Sequence, residues 1–127
     1  MSAKCILDGE VLKIIHEFQR NVEKEEYSEG FAKISQLLKG NQGYQIFNAA
    51  IIGEVAEIIA INKTKAALDG MVTIVREELS QMTCGSSQNP TSMQDCMNIL
   101  FATVNKLPEI RKPLMQEWHN AIGKMKG

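Results

Sequence analysis

The segment from residue 47 to residue 62, FNAAIIGEVAEIIAIN, constrains the fold of this chain most strongly, because it is almost continuously apolar yet carries Glu54 and Glu57. Asn48 and the two glutamates interrupt the segment, so it does not contain the 18 or more uninterrupted apolar residues that a membrane span requires. No other segment reaches that length. We therefore expect no membrane span, and the segment predicts a buried helix.

A helical projection at about 100° per residue divides this segment into three sectors. Bulky apolar side chains cover one sector, a flat strip of small residues forms the second, and both glutamates share a narrow third. We predict that the bulky side fills the centre of a bundle and that the small side faces a closely approaching helix. The bulky residues are Phe47, Ile51, Ile52, Val55, Ile58 and Ile59, and the small ones are Ala49, Gly53, Ala56 and Ala60.

Glu54 and Glu57 have three possible roles: metal ligands, a catalytic pair, or the solvent-facing edge of the helix. A di-metal carboxylate bundle needs Glu-x-x-His motifs, and neither His16 nor His119 follows a glutamate by three residues. A general acid–base pair needs a pocket and a raised pKa on one member, which nothing in the sequence indicates. We predict a solvent-facing edge, exposed histidines, and neither a metal site nor a cofactor.

The remaining apolar periodicity predicts further amphipathic helices, with Asp8, Ser28 and Thr64 as their N-caps. The polar triplet from residue 62 to 64 favours a break between the third and fourth helices over one long bent helix. Residues 84–92, CGSSQNPTS, predict a surface loop with Asn89-Pro90 as a helix start, and Pro113 predicts the start of the last helix. The expected helices span about residues 8–25, 28–40, 44–61, 64–82, 92–106 and 113–125.

No segment alternates apolar and polar residues as a half-buried strand does, and no fixed internal period is present. Apolar residues make up 44% of the chain and charged residues 23%, which is ordinary for a globular protein. The sequence predicts an all-α fold, a compact bundle of five or six helices, with residues 1–127 forming a single helical domain.

The cysteines and the catalytic motifs bear on location and chemistry. Cys5, Cys84 and Cys96 lack CxxC spacing, which favours a reducing compartment over a disulfide framework or a zinc site. The N-terminal residues MSAKCILDGEV do not have the pattern of a signal peptide, so we expect a cytoplasmic protein. No GxSxG, GxGxxG or HExxH motif occurs, and Cys96 lies within an apolar stripe. We predict that the protein is not an enzyme.

Charge argues against a nucleic-acid partner, because 14 Lys and Arg are matched by 15 Asp and Glu and no basic surplus exists. Residues 1–30 hold seven acids and four bases, while residues 106–127 hold five bases and two acids. Such an asymmetry steers a partner or head-to-tail packing, or belongs to a solvated surface without a role. A nucleic-acid function would rest only on Lys106, Arg111, Lys112, Lys124 and Lys126.

Several large apolar residues fall off the stripes of their helices, so the chain has more apolar surface than a simple bundle needs. The surplus fits the seam of a homodimer, the groove for a partner helix, or a hollow bundle that holds a lipid-like ligand. We predict a non-enzymatic protein–protein interaction module, an adaptor, regulator or assembly domain that self-associates; the alternative is a carrier of an apolar small molecule. The expected partner-binding residues are Ile74, Ile99, Phe101 and Ile122.

Overall fold

The computed structural model describes residues 9–40, 45–84 and 90–126, and within these ranges the side chains of residues 9–40, 47–80 and 96–120. The described chain contains no strand, which confirms the all-α prediction. Asp8, predicted as an N-cap, lies outside the described residues. The helices are α1 (Gly9–Glu23), α2 (Tyr27–Gly40), α3 (Gln45–Ile61), α4 (Lys65–Cys84), α5 (Pro90–Lys106) and α6 (Arg111–Lys126), with a short 3-10 helix (Pro108–Ile110) before α6.

Helix α3 lies at the centre of the bundle and packs against α1, α4 and α5. Its apolar side chains are buried around most of its circumference, as the sequence predicts. Two packed helix pairs, α1 with α2 and α4 with α6, surround the same core. The buried apolar residues of α3 are Ala49, Ala50, Ile51, Ile52, Val55, Ala56 and Ile59.

The small-residue side of α3 faces α5, which confirms the predicted close approach. A Cβ atom placed on Gly53 would lie 3.5 Å from Oγ1 of Thr103 in α5. Three to four residues further along both helices, Nζ of Lys106 lies 3.0 Å from Oε1 of Glu57. Because the later residue of α3 pairs with the later residue of α5, the two helices run in the same direction.

The polar triplet after Ile61 separates α3 from α4, so the predicted break is confirmed. Thr64 is the N-cap of α4: its Oγ1 accepts a hydrogen bond of 3.2 Å from the backbone N–H of Ala67. A side-chain oxygen in this position satisfies one of the free N–H groups of the first turn. Helix α4 then packs against α2, α3 and α6, which means that it is covered on three sides.

The turn between α1 and α2 uses a left-handed residue that is not glycine. Glu25 has a φ of 61°, its N–H bonds to the carbonyl of Val22 at 3.0 Å, and the N–H of Glu26 bonds to the carbonyl of Asn21 at 2.7 Å. These two bonds form a Schellman motif, which usually places glycine at this position. The prediction that Ser28 caps α2 is wrong, because the motif starts the helix at Tyr27 and leaves Ser28 in its first turn.

Proline marks the start of α5 and the first turn of α6. Pro90 is the first residue of α5, as the Asn89-Pro90 signal predicts, so residues 90–92 of the predicted loop belong to a helix. Cys84 belongs to α4, and residues 85–89 lie outside the described residues. Helix α6 begins at Arg111, two residues before Pro113, because the first-turn N–H groups need no intrahelical acceptor and proline fits there.

Replacing Glu25 with glycine should stabilise the protein. An L-residue at φ 61° carries a steric cost of about 1–2 kcal/mol that glycine avoids, partly offset by the greater entropy of the unfolded glycine chain. We expect the free energy of unfolding to rise by about 0.5–1 kcal/mol in urea denaturation. Lys24→Gly is the matched control, because Lys24 does not have a positive φ, and it should give no increase. An equal gain from both variants would contradict the explanation.

The glycines of α3 and α4 should respond differently to alanine. At Gly53 the new methyl group would sit in ordinary contact with Thr103, so Gly53→Ala should gain up to about 1 kcal/mol of helix propensity. At Gly70 the methyl group would collide with the ring of Phe31, and moving that ring should cancel or reverse the gain. Thermal denaturation of the two variants should show Gly70→Ala unfolding at the lower temperature. The reverse order would be inconsistent with this packing.

Candidate functional site

The two glutamates of α3 lie at the edge of the bundle, where the sequence places them. Glu57 is exposed and forms its ion pair with Lys106, and Glu54 is half-buried one turn before it. An exposed ion pair of this kind contributes little to stability. The ion pair of Glu57 and Lys106 is a surface contact between α3 and α5. Among the described side chains, neither glutamate joins a larger group of acidic residues that could hold a metal ion.

A different glutamate, Glu78 of α4, is buried in the core. Its side chain is 2% exposed, and Oε1 accepts a long hydrogen bond of 3.5 Å from Nδ2 of Asn48 in α3. The same Nδ2 donates to the backbone carbonyl of Leu38, near the end of α2, at 3.2 Å. Oε2 of Glu78 makes no hydrogen bond with the described residues. One polar pair thus connects three helices at the end of the bundle where α2 finishes.

Burial raises the pKa of Glu78 from 4.5 to about 7, and the hydrogen bond from Asn48 lowers it by less. Desolvation disfavours the carboxylate form, which explains the direction of the shift. A carboxyl group with a pKa near 7 is typical of general acids and bases, but a side chain this deeply covered does not reach a substrate. The carboxyl group of Glu78 can therefore bind or release a proton inside the folded protein, without contacting a substrate.

Sequence reasoning missed this pair, although a signal for it exists. Glu78 follows Met71 by seven residues and Val75 by three, which places it beside the apolar stripe of α4. Asn48 precedes Val55 and Ile51 by the same spacings. Both polar residues therefore project onto buried helix faces, and each is a candidate partner for the other.

Other kinds of site find little support among the described side chains. No three His, Cys, Asp or Glu residues come together in a group that could hold a metal ion there. His16 and His119 are exposed, as the sequence predicts, and Cys96 is buried in the core. None of the described helices has the length and the apolar content that a bilayer crossing requires.

The four residues predicted to bind a partner do not form one surface. Ile74 is 2% exposed, so its expected place on the surface is wrong: α4 is covered by three helices, and its buried face is wider than one stripe. Ile99 is half-buried and packs against the core. Phe101 is 51% exposed, and the side chain of Ile122 lies outside the described residues.

Phe101 belongs to an apolar surface on α5 and α6, here called the α5–α6 patch, which consists of Phe101, Met115 and Trp118. The rings of Phe101 and Trp118 lie 5.8 Å apart between centroids and are inclined at 56°. Met115, which is 55% exposed, precedes Trp118 by three residues and so shares its side of α6. Arg111 and Lys112, both exposed, are the residues one turn before Met115. The patch is therefore an aromatic and apolar surface with bases at its margin.

A groove of about 410 Å³ lies between α2 and α4, here called the α2–α4 groove. Phe31 packs against Gly70, where any side chain would collide with its ring, and Ile74 forms part of the floor. Small residues of both helices make up the walls, which explains why the groove stays open. The wall residues are Ser28, Ala32 and Ser35 of α2 and Ala66 and Thr73 of α4.

The chain matches no protein-family model, and searches of curated proteins and of solved structures give no match.

Replacing Glu78 with glutamine should remove a pH dependence of stability. Because the pKa of Glu78 is raised from 4.5 to about 7 in the folded protein, its contribution to folding is most favourable below pH 4.5 and declines as the pH rises to about 7. At about 1.36 kcal/mol per pKa unit, the largest loss is about 3 kcal/mol. Above pH 7, Glu78→Gln should be more stable than the wild type in urea denaturation, and the advantage should shrink towards pH 4.5.

The exposed neighbour Glu77 supplies the matched control. Glu77→Gln should track the wild type across the same pH range. The difference in the free energy of unfolding between Glu78→Gln and the wild type should change with pH. If it stays constant from pH 4.5 to 8, Glu78 does not titrate as its burial implies.

Proposed function

We propose that this protein is a non-enzymatic, helical protein–protein interaction module that self-associates through the α5–α6 patch. The proposal rests on one observation: Phe101 and Met115 are about half exposed and lie beside Trp118 on one side of the bundle. Large apolar side chains scattered singly are normal on protein surfaces, but a contiguous group with a charged margin is typical of interaction sites. Aromatic residues and methionine are also enriched in interfaces.

The energetics support this use of the patch. Covering apolar surface contributes about 25 cal/mol per Å², and aromatic side chains supply the largest such areas. The tilted contact between Phe101 and Trp118 holds both rings in place before any partner arrives, which lowers the entropy lost on binding. Arg111 and Lys112 favour encounter with an acidic surface.

The absence of CxxC spacing among the cysteines favours a cytoplasmic location for such a module.

A second candidate, a carrier of an apolar small molecule, is favoured by the α2–α4 groove. Its volume of about 410 Å³ falls within the range of small-molecule sites, roughly 300–1,000 Å³. Native mass spectrometry of the purified protein distinguishes the two functions. A co-purifying species of a few hundred daltons supports the carrier, and a dimer or larger oligomer of the bare chain supports the interaction module.

Placing a charge on the patch should weaken self-association without unfolding the protein. We expect Met115→Glu to raise the dissociation constant about tenfold or more in sedimentation velocity, because a carboxylate would be buried at the contact. Met115 is exposed, so the circular dichroism and the melting temperature should change little. Phe101→Glu should have a larger effect on association, with a modest loss of stability because Phe101 also contacts Trp118.

The matched control is Ile61→Glu. Ile61 is 87% exposed at the end of α3 and does not belong to the patch. This variant should associate like the wild type. A monomeric wild type at millimolar concentration, or equal weakening by all three variants, would refute a role for the patch.

A further inference from the structure

We propose that self-association is head-to-tail: the α5–α6 patch of one copy docks into the α2–α4 groove of the next. This inference depends on the proposed self-association through the patch and adds the identity of the opposing surface. It commits to a second copy of this chain as the occupant of the groove. Three properties of the two surfaces support it: their positions, their shapes and their charges.

The two surfaces lie on different helices of the molecule: the patch on α5 and α6, and the groove between α2 and α4. Glu117 faces α4, because its Oε1 accepts a hydrogen bond of 2.8 Å from Nε of Arg76. By the helical step, Met115 points about 160° away from Glu117, and Trp118 points towards α5. The groove lies beyond α4, on its contact with α2. One molecule therefore presents both surfaces at the same time without either covering the other.

The shapes of the two surfaces are complementary. The patch is a ridge of three large side chains, and the groove is lined by small side chains beside Tyr27, Phe31 and Ile74. The exposed walls at Ala32, Ala66 and Thr73 leave space that large side chains of a neighbour would fill. Filling an existing depression with aromatic and thioether groups is the usual arrangement at the centre of a stable interface.

The margins of the two surfaces carry opposite charge. Glu26 and Glu29 adjoin the groove residues Tyr27 and Ser28, and Glu77 follows Thr73 by one turn; all three glutamates are exposed. The bases beside the groove already have partners: Lys33 pairs with Glu17 at 3.9 Å and Lys65 with Asp69 at 3.0 Å. The margin of the groove is therefore acidic.

At the patch the excess is basic. Arg111 and Lys112 are exposed one turn before Met115. The nearest acid on α6, Glu117, is held by Arg76 on the other side of the helix. The helical neighbours of Phe101 towards solvent, Asn98 and Asn105, are uncharged. Opposite margins of this kind steer association and fix its orientation.

An interface between two different surfaces is heterologous and leaves one free patch and one free groove in every complex. Such contacts produce closed rings or open chains, whereas a two-fold dimer uses the same surface twice. The wild type should therefore form a concentration-dependent series of oligomers or one ring larger than a dimer. Raising the ionic strength should weaken the series, because the charged margins are exposed to solvent.

The test uses two full-length variants, each with one damaged surface. The patch variant is Met115→Glu, which brings an acid towards an acidic margin. The groove variant combines Ala32→Arg with Ala66→Arg, two exposed positions where long basic side chains would occupy the groove and repel the bases of the patch. At a concentration near the dissociation constant of the wild type, each variant alone should be largely monomeric in sedimentation velocity. An equimolar mixture should form a one-to-one heterodimer and nothing larger, because only one intact patch and one intact groove remain.

Three results would overturn the inference. If the groove variant associates like the wild type, the groove is not the docking site, although self-association through the patch stands. If both variants are monomeric and the mixture is too, the two surfaces do not meet, and a two-fold contact is indicated. If the wild type itself is monomeric throughout, both the inference and the proposed function fail. Circular dichroism of each variant confirms that its helices are retained.

Discussion

The burial of α3 is the interaction on which the rest of the structure depends. Its four large buried residues, Ile51, Ile52, Val55 and Ile59, each contribute about 1.5–3 kcal/mol when removed from water, and they contact helices on several sides. None of the surrounding helices has comparable apolar surface on all sides. They are amphipathic, and each gains most of its stability by covering part of α3 or of a helix that already covers it.

Asn48 and Glu78 are polar residues buried within this apolar centre. Burying a carboxyl group and an amide costs free energy that a hydrophobic pair of similar size would not, and the single long hydrogen bond between them offsets only part of it. Their hydrogen bonds link three helices. Asn48 bonds to the end of α2 as well as to α4, so one side chain fixes the relative register of three helices. A sliding of α4 along α3 would separate the carboxyl group of Glu78 from Asn48.

The surfaces of the molecule follow from the same packing. Because α4 is enclosed by α2, α3 and α6, its apolar residues go into the core, and Ile74 goes with them. Helices α5 and α6 lie at the margin with fewer neighbours, so Phe101 and Met115 remain exposed. Between α2 and α4, a run of small residues lets Phe31 rest on Gly70 and leaves a depression beside it. The α5–α6 patch and the α2–α4 groove therefore result from how the neighbouring helices cover each helix.

The sequence by itself determined the helices, their approximate limits and the central place of α3, because these depend on local periodicity and on the total apolar content of each segment. It also predicted the Thr64 cap, the break after Ile61 and the exposed edge at Glu57. Only the tertiary structure decided that Ile74 is core while Phe101 is surface. Both lie off their stripes, but α4 is covered by three helices and α5 packs mainly against α3. The Asn48–Glu78 pair likewise depends on a contact between residues distant in the chain. The left-handed Glu25 belongs to a local turn that no glycine marks in the sequence. Local spacing gives each residue a direction, but what lies in that direction is set by the assembled bundle.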